Sequence, residues 1–295
     1  MNHPVLSPIT ISLRNILVAT DLSRQSEAAL GIAIGIARRY QSSLSLFNCV
    51  DPLLYNFVGP DAVTEGCEAT LRDLKQFQRT LTAKGLLDGV PTKLIVVSGD
   101  ISEALGKLVA KQPVDLIVIG THGRTGWNKL VLGSTAEKIF RHAKCPVLTA
   151  GVNDQSQLQR SHPKSILFAT DLSSRSLLAQ SYAFSLADKC EAELTIVHAL
   201  AKERDDTVGL GTRYDSCRQQ LDQQIASEPA LSKPPEFVLD FASPAELILE
   251  TAERTKAELI VLAVREPHQL GNRIHSSTAY QVVRASRAAV LTVRP

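Results

Sequence analysis

Two tandem α/β domains, each an open parallel sheet of five strands with helices on both faces, are predicted by three observations. The chain repeats itself, its short apolar runs do not alternate with polar residues, and helical patterns fall between those runs. At 295 residues it has the length of about two ordinary domains, each large enough to bury its own core. "ILVATDLSRQSEAALGIAIGIARRYQSSLSLFNCV" from Ile16 returns at an offset of 150 as "ILFATDLSSRSLLAQSYAFSLADKCEAELTIVHAL" from Ile166. Later stretches match at an offset of 143, "DLIVIG" at Asp115 with "ELIVLA" at Glu258, so the second copy is seven residues shorter in its middle. Repeats of this kind are read before anything else because they set the domain plan. The expected domains are 1–151 and 152–295, joined by the polar stretch Gly151 to Ser165.

In the first copy the expected strands are 15–20, 44–50, 92–98, 115–120 and 146–150, all rich in Val, Ile and Leu without alternation. Such continuous runs suit strands covered on both faces. "RQSEAALGIAIGIARRY" carries apolar residues at helical spacing, and Asp100 with Glu103 forms a capping-box pattern ahead of the next helix. "SPAE" at Ser243 to Glu246 repeats that pattern in the second copy, with proline at the first helical position. Strand and helix in strict alternation imply right-handed crossovers and a parallel sheet.

Composition narrows the functional classes. Hydrophobic residues at 44% and charged residues at 21% fit an ordinary globular chain. The net charge of +2, from 32 basic and 30 acidic residues, gives no electrostatic case for nucleic acid or an anionic membrane. Cys49, Cys67, Cys145, Cys190 and Cys217 stand far apart, without CxxC or zinc-ligand spacing, and read as reduced thiols that mostly fill the core. No basic n-region precedes an apolar run at the N-terminus, and no stretch is long enough to span a bilayer, so the expected location is cytoplasmic.

The candidate site lies in "GTHGRTGWNKLVLGST", Gly120 to Thr135. This loop leaves the tip of the fourth strand and enters a helix, with Ser134 and Glu137 reading as a capping box at the entry. Amides of Gly133, Ser134 and Thr135 at the positive end of the helix dipole suit phosphate oxygens. Glycines at 120, 123 and 133 permit close backbone approach and positive φ. Neither GxxxxGK[ST] nor GxGxxG is matched. A glycine-rich connector with a capped helix is the plain alternative. In doubly wound sheets the ligand crevice opens where the strand order reverses; with the order 3-2-1-4-5 that point lies between "ATD", Ala19 to Asp21, and Gly120. Asp21 either accepts from a ribose hydroxyl or base amine, or only caps the next helix.

The pattern G-x2-G-x9-G-[S/T], filled by Gly120, Gly123, Gly133 and Ser134, together with "ATD" after the first strand, resembles the universal stress protein family. The resemblance covers nearly the whole chain as two copies. It implies the adenine nucleotide alpha hydrolase-like fold with strand order 3-2-1-4-5, and a site for ATP or a related adenine nucleotide (ADP or AMP), with Mg²⁺ as an optional companion. Carried over by position, Ala19, Thr20 and Asp21 would lie near adenine and ribose, with Cys49 and Val50 walling the base. Ile119, Gly120, His122, Gly123 and Arg124 would follow ribose and phosphates, and Gly133, Ser134 and Thr135 would close on the phosphates. Cys49 stands where the family usually has valine.

The second copy keeps Asp171 but has Ala263, Glu266 and Ser276 where Gly120, Gly123 and Gly133 stand. A carboxylate repels phosphate and side chains block close approach, so one nucleotide per chain is expected, in the first copy. "AKERDDTVGLGTRYDS" in the shortened region offers a different pocket or a lid. Phosphoryl transfer wants metal ligands, a water-positioning group and cations. His122, Arg124 and Lys129 are the nearby candidates, without paired carboxylates in the motif; His122 reads as a hydrogen-bond donor rather than a base, and no catalytic residue or metal ligand is assigned. Trp127 packs over the crevice, meets a partner, or is a surface residue. The last strand of each copy needs cover, which an internal pseudo-twofold dimer of the two domains supplies; a homodimer of chains and an unidentified protein partner remain open. The expected function is a nucleotide-binding regulatory stress-response protein, against a slow ATPase or AMP-forming enzyme and a scaffold without nucleotide.

Overall fold

The computed structural model describes residues 9–55, 61–120, 133–150, 162–200, 210–264 and 277–294. The chain divides into two compact units, Ser12–His162 and Pro163–Pro295, with residues 9–11 grouped with the latter.

Unit one runs β1 (Asn15–Ala19), α1 (Arg24–Tyr40), β2 (Ser43–Val50), a single 3-10 turn (Pro52–Tyr55), α2 (Ala62–Ala83), β3 (Thr92–Ser98), α3 (Ile101–Lys111), β4 (Leu116–Gly120), α4 (Ser134–His142) and β5 (Val147–Ala150). The strands lie in the order β3-β2-β1-β4-β5, and their pairings are parallel. Each strand moves the chain left or right by right-handed crossovers, which sets α1 and α2 on one face and α3 and α4, packed together, on the other. Covered on both sides, Ile16, Leu17, Val18, Leu116, Ile117 and Val118 are essentially inaccessible. Each such side chain contributes about 1.5–3 kcal/mol relative to an exposed one. At the other end of the sheet Asp115 Oδ2 accepts from the amides of Arg14 and Asn15, both at 2.8 Å, and so fixes the register of β1 on β4.

Unit two repeats the plan: β6 (Ser165–Ala169), α5 (Ser176–Cys190), β7 (Glu193–Ala199), α6 (Leu210–Ile225), β8 (Glu236–Asp240), α7 (Pro244–Arg254), β9 (Leu259–Ala263), α8 (Thr278–Ala285) and β10 (Ala289–Val293). The order is β8-β7-β6-β9-β10, again parallel. Its shortened middle includes a shorter helix, 16 residues in α6 against 22 in α2. Leu210 to Ser216, which sequence alone left as a pocket or lid, belong to α6; the rest of that stretch lies outside the described residues. Of the expected linker, 151–161 also lies outside them, and Ser165 already opens β6.

Several local expectations need correction. Asp100 does cap α3, its Oδ1 accepting from Ser102 N at 2.8 Å and Glu103 N at 3.3 Å. The carboxylate of Glu103, however, pairs with Lys107 one turn on, at 2.6 Å, in place of a reciprocal box. Ser243 is the N-cap of α7 by backbone position only; its carbonyl accepts from Leu247 N and its side chain makes no cap bond. The cysteines are all unbridged, but Cys190 alone is buried and the other four are half-buried, so core filling describes one of five. No described helix is long and apolar enough to cross a membrane.

Candidate functional site

The reversal of strand order falls between β1 and β4, and their register brings Ala19 opposite Ile119. The "ATD" tip and Gly120, noticed separately in the sequence, therefore sit side by side at the carboxyl edge of the sheet, where doubly wound folds open their crevice. Cys49 and Val50 end the neighbouring β2, paired with Val97 and Ser98.

The tip of β1 is held by a closed set of hydrogen bonds. Ser26 Oγ donates to the Ser23 carbonyl at 2.8 Å, which uses its single proton, so the Thr20 hydroxyl donates to Ser26 Oγ across 2.9 Å. Thr20 Oγ1 in turn accepts from Leu22 N at 3.0 Å. Asp21 Oδ1 accepts from Ser23 N at 3.0 Å, and the Ser23 side chain caps α1 through Ser26 N. This settles the choice left open for Asp21 in part: it closes the turn ahead of α1, while Ser23 is the N-cap. Thr20 is buried, its hydroxyl wholly engaged inside the turn. Leu22 is forced to φ 62°, a left-handed conformation that costs a residue with a side chain about 1–2 kcal/mol. The flanking bonds hold it there.

Partial burial pushes the Asp21 carboxyl upward, but hydrogen bonds from Ser23 and Ser26 outweigh it and hold the group below its ordinary value. Asp21 is therefore a carboxylate at neutral pH, fit to accept from hydroxyl or amine hydrogens. Cys49 goes the other way: burial first, then the carboxylates of Asp100 and Asp51, push its thiol up to about 11. It stays protonated and donates to the Gly99 carbonyl at 3.3 Å. Beside it Val50 is only 6% exposed.

At the entry to α4 the sequence reading shifts by one residue. The N-cap is Gly133, whose carbonyl accepts from Glu137 N at 2.8 Å, and Ser134 is the first helical residue. The amides left without a carbonyl of their own helix are those of Gly133, Ser134, Thr135 and Ala136. Gly133 has φ −58° and ψ 148°, and neither it nor Gly120 uses the expected positive φ. His122, Gly123 and Arg124, like Trp127 and Lys129, lie outside the described residues, as do the side chains of Ser134 and Thr135.

Sequence reasoning missed three participants. Ser26 and Asn48 hold the tip of β1, and the identical "ATDLS" followed by serine three residues on, in both copies, was the available signal for the first. Lys138 of α4 reaches Asp100 Oδ2 at 2.6 Å. Hydrogen bonding from Lys138 leads in lowering Asp100, and the same bond raises Lys138. Both groups are exposed, so the contact orients α4 against α3 more than it stabilises the fold.

A family model described as the universal stress protein family matches residues 12–150 and again 163–294. The chain belongs to the universal stress protein family. A Staphylococcus haemolyticus relative carrying that name is 33% identical over 143 residues, covering 47% of this chain and 84% of its own. A Staphylococcus aureus relative of the same name is 31% identical over 140 residues. The match thus spans one of the two copies. Among solved structures, a universal stress protein from Archaeoglobus fulgidus aligns over 96% of this chain and 97% of its own, at 20% identity and a TM-score of 0.67. A functionally unknown protein from Pseudomonas aeruginosa aligns over 96% and 93%, at 22% identity and 0.67. These likenesses establish the fold over nearly the whole chain.

The second copy of this universal stress protein rebuilds the tip turn. Leu172 N reaches Thr170 Oγ1 at 3.0 Å, Ser173 N reaches Asp171 Oδ1 at 3.0 Å, and Thr170 and Ser176 hydroxyls lie 2.9 Å apart. Leu172 has φ 59°. Burial pushes the Asp171 carboxyl up, and the Ser173 hydrogen bonds with the charge of Arg175 hold it below its ordinary value. The helix entry differs. Ser277 is the N-cap of α8, and its side chain accepts from Tyr280 N at 3.3 Å.

Proposed function

We propose that unit one holds an adenine nucleotide, ATP or its shorter relatives ADP and AMP, in the crevice between the tips of β1 and β4, and that the protein works as a nucleotide-responsive regulator. The observation that carries this reading is the adjacency of an ionised acceptor, Asp21, to a strand tip, Gly120, whose chain leads into a helix entered through glycine. The donor set fits the two ends of such a ligand. Asp21 accepts from ribose hydroxyls or a base amine; Cys49 and Val50 wall the base; the amides of Gly133, Ser134 and Thr135, with that of Ala136, serve phosphate at the positive end of α4. From the sequence, His122, Gly123 and Arg124 complete the phosphate end, and Mg²⁺ would neutralise charge there.

Unit two keeps the acceptor end but has Ala263, Glu266 and Ser276 where Gly120, Gly123 and Gly133 stand, so it is not expected to take a phosphate chain. Regulation is favoured over turnover because the groups gathered at the described crevice bind and orient; slow hydrolysis is the rival. Native mass spectrometry of the purified chain, with isothermal titration against ATP, tests the reading. One adenine nucleotide per chain is expected, and labelled ATP should be recovered intact after hours with Mg²⁺. Absence of any nucleotide interaction would sink the proposal, and rapid appearance of labelled ADP or AMP would convert it to the enzymatic rival.

A further inference from the structure

We propose that Asn48 is a positioning residue for the nucleotide crevice, acting through Asp21, and that its one function there is to donate an N–H to the Thr20 carbonyl. The inference rests on the reading that this crevice holds an adenine nucleotide.

The β1–β2 ladder ends at the pair Ala19 and Phe47. One further backbone bond follows, from Thr20 N to the Phe47 carbonyl at 2.9 Å. Beyond it the Thr20 carbonyl takes Asn48 Nδ2 at 2.7 Å. That carbonyl and the amide of Asp21 belong to one planar peptide. Holding the oxygen therefore fixes the plane from which the Asp21 side chain departs, just ahead of the left-handed Leu22. An asparagine in a strand whose neighbours are Leu46, Phe47 and Val50, all buried, is costly unless its amide is bonded. Its place is explained by this contact.

Unit two supplies an internal control. At the position offset by 150, His198 Nδ1 lies 2.9 Å from the Thr170 carbonyl, and Thr170 N bonds the Val197 carbonyl at 3.0 Å. A carbonyl oxygen only accepts, so Nδ1 carries the hydrogen. Two side chains of different size and chemistry deliver a donor to the same atom of the same turn. What the two sites share is the bond.

The test titrates the full chain with ATP by calorimetry, comparing wild type, Asn48→Leu, Asn48→His, Asp21→Asn and the double variant Asn48→Leu with Asp21→Asn, with ligand-free thermal midpoints for each. Leucine fills the space but leaves the carbonyl unpaired, and an affinity loss of about tenfold is expected. Histidine should restore binding to within about twofold of wild type. In the Asp21→Asn background the leucine change should cost almost nothing further, since the two act through one path. Wild-type affinity in Asn48→Leu, failure of histidine to restore it, or a full additional loss in the double variant overturns the proposal. If Asn48→Leu does not fold, the histidine variant decides: retained binding supports the assignment and lost binding overturns it. Failure of the wild-type chain to bind ATP overturns the nucleotide reading itself, which separates the two.

Discussion

Units one and two share the threonine and aspartate bonds of the tip turn and part company at two helix entries. The Ser23 side chain caps α1, whereas α5 opens at Ser176 without a side-chain cap and Ser173 Oγ donates to Asp171 Oδ1. Thr20 and Thr170 each bond the amide two residues on at 3.0 Å, and each lies 2.9 Å from the serine six residues on. At the other side of the crevice α4 begins at Ser134 after glycine, whereas α8 begins at Thr278 after a serine that caps it. With the offset of 143, Ser134 and Ser277 are the same position in the repeat. The same residue is thus the first helical residue in one unit and the cap in the other. The turn is a folding device common to both halves; the starts of α4 and α8 differ in their cap, glycine in one and a serine side chain in the other.

The largest effect is expected from Gly133→Asp. Aspartate is a better N-cap than glycine, so α4 should form as well or better, while its carboxylate opposes phosphate. ATP affinity by titration should fall roughly a hundredfold, with the ligand-free thermal midpoint unchanged or raised; undiminished affinity would mean the α4 entry is not the phosphate end.

A smaller effect should fall on both units alike. Thr20→Val and Thr170→Val each remove a buried hydroxyl that serves two partners, and each should cost about 1–3 kcal/mol by denaturant unfolding. Unequal costs would show that the turns are not equivalent despite their geometry. Smaller again, Ser277→Ala should destabilise unit two by about 1 kcal/mol. Ser134→Ala should cost less, because Ser134 is not the N-cap.

The least of these effects concerns acid. Asp21 and Asp171 both have folded-state pKa values held below the ordinary 3.8. Their contribution to stability is therefore fully present above that value and is lost as pH falls through the lower, folded-state one. Thermal midpoints followed from neutral pH into that acid range should decline, and the double variant Asp21→Asn, Asp171→Asn should flatten the decline. An unchanged acid limb would place the sensitive carboxylates elsewhere.

Much of this was written in the chain. The strands expected at 15–20, 44–50, 92–98, 115–120 and 146–150 agree with those found to within one residue at either end, because continuous apolar runs bounded by polar residues mark where a strand begins and ends. The adjacency of Asp21 and Gly120 followed from topology alone. What failed was cap chemistry. Serine followed three residues later by glutamate at Ser134 imitates a capping box, and a glycine cap leaves no side chain to betray it. Glu103 had a lysine one turn away that competed for its charge. Asn48 was invisible for another reason: a lone asparagine in an apolar strand declares its purpose only when the carbonyl it serves, 28 residues earlier, is brought beside it.

The left-handed leucine in each tip turn has a practical corollary. "ATDLSRQS" and "ATDLSSRS" differ only at the two positions after the fifth residue, and both place leucine in the left-handed region with its amide bonded to the threonine hydroxyl. The eight residues behave as a portable joint, able to couple a parallel strand to a helix and leave a charged acceptor at the junction. Grafted into a designed sheet, they would carry that acceptor with them.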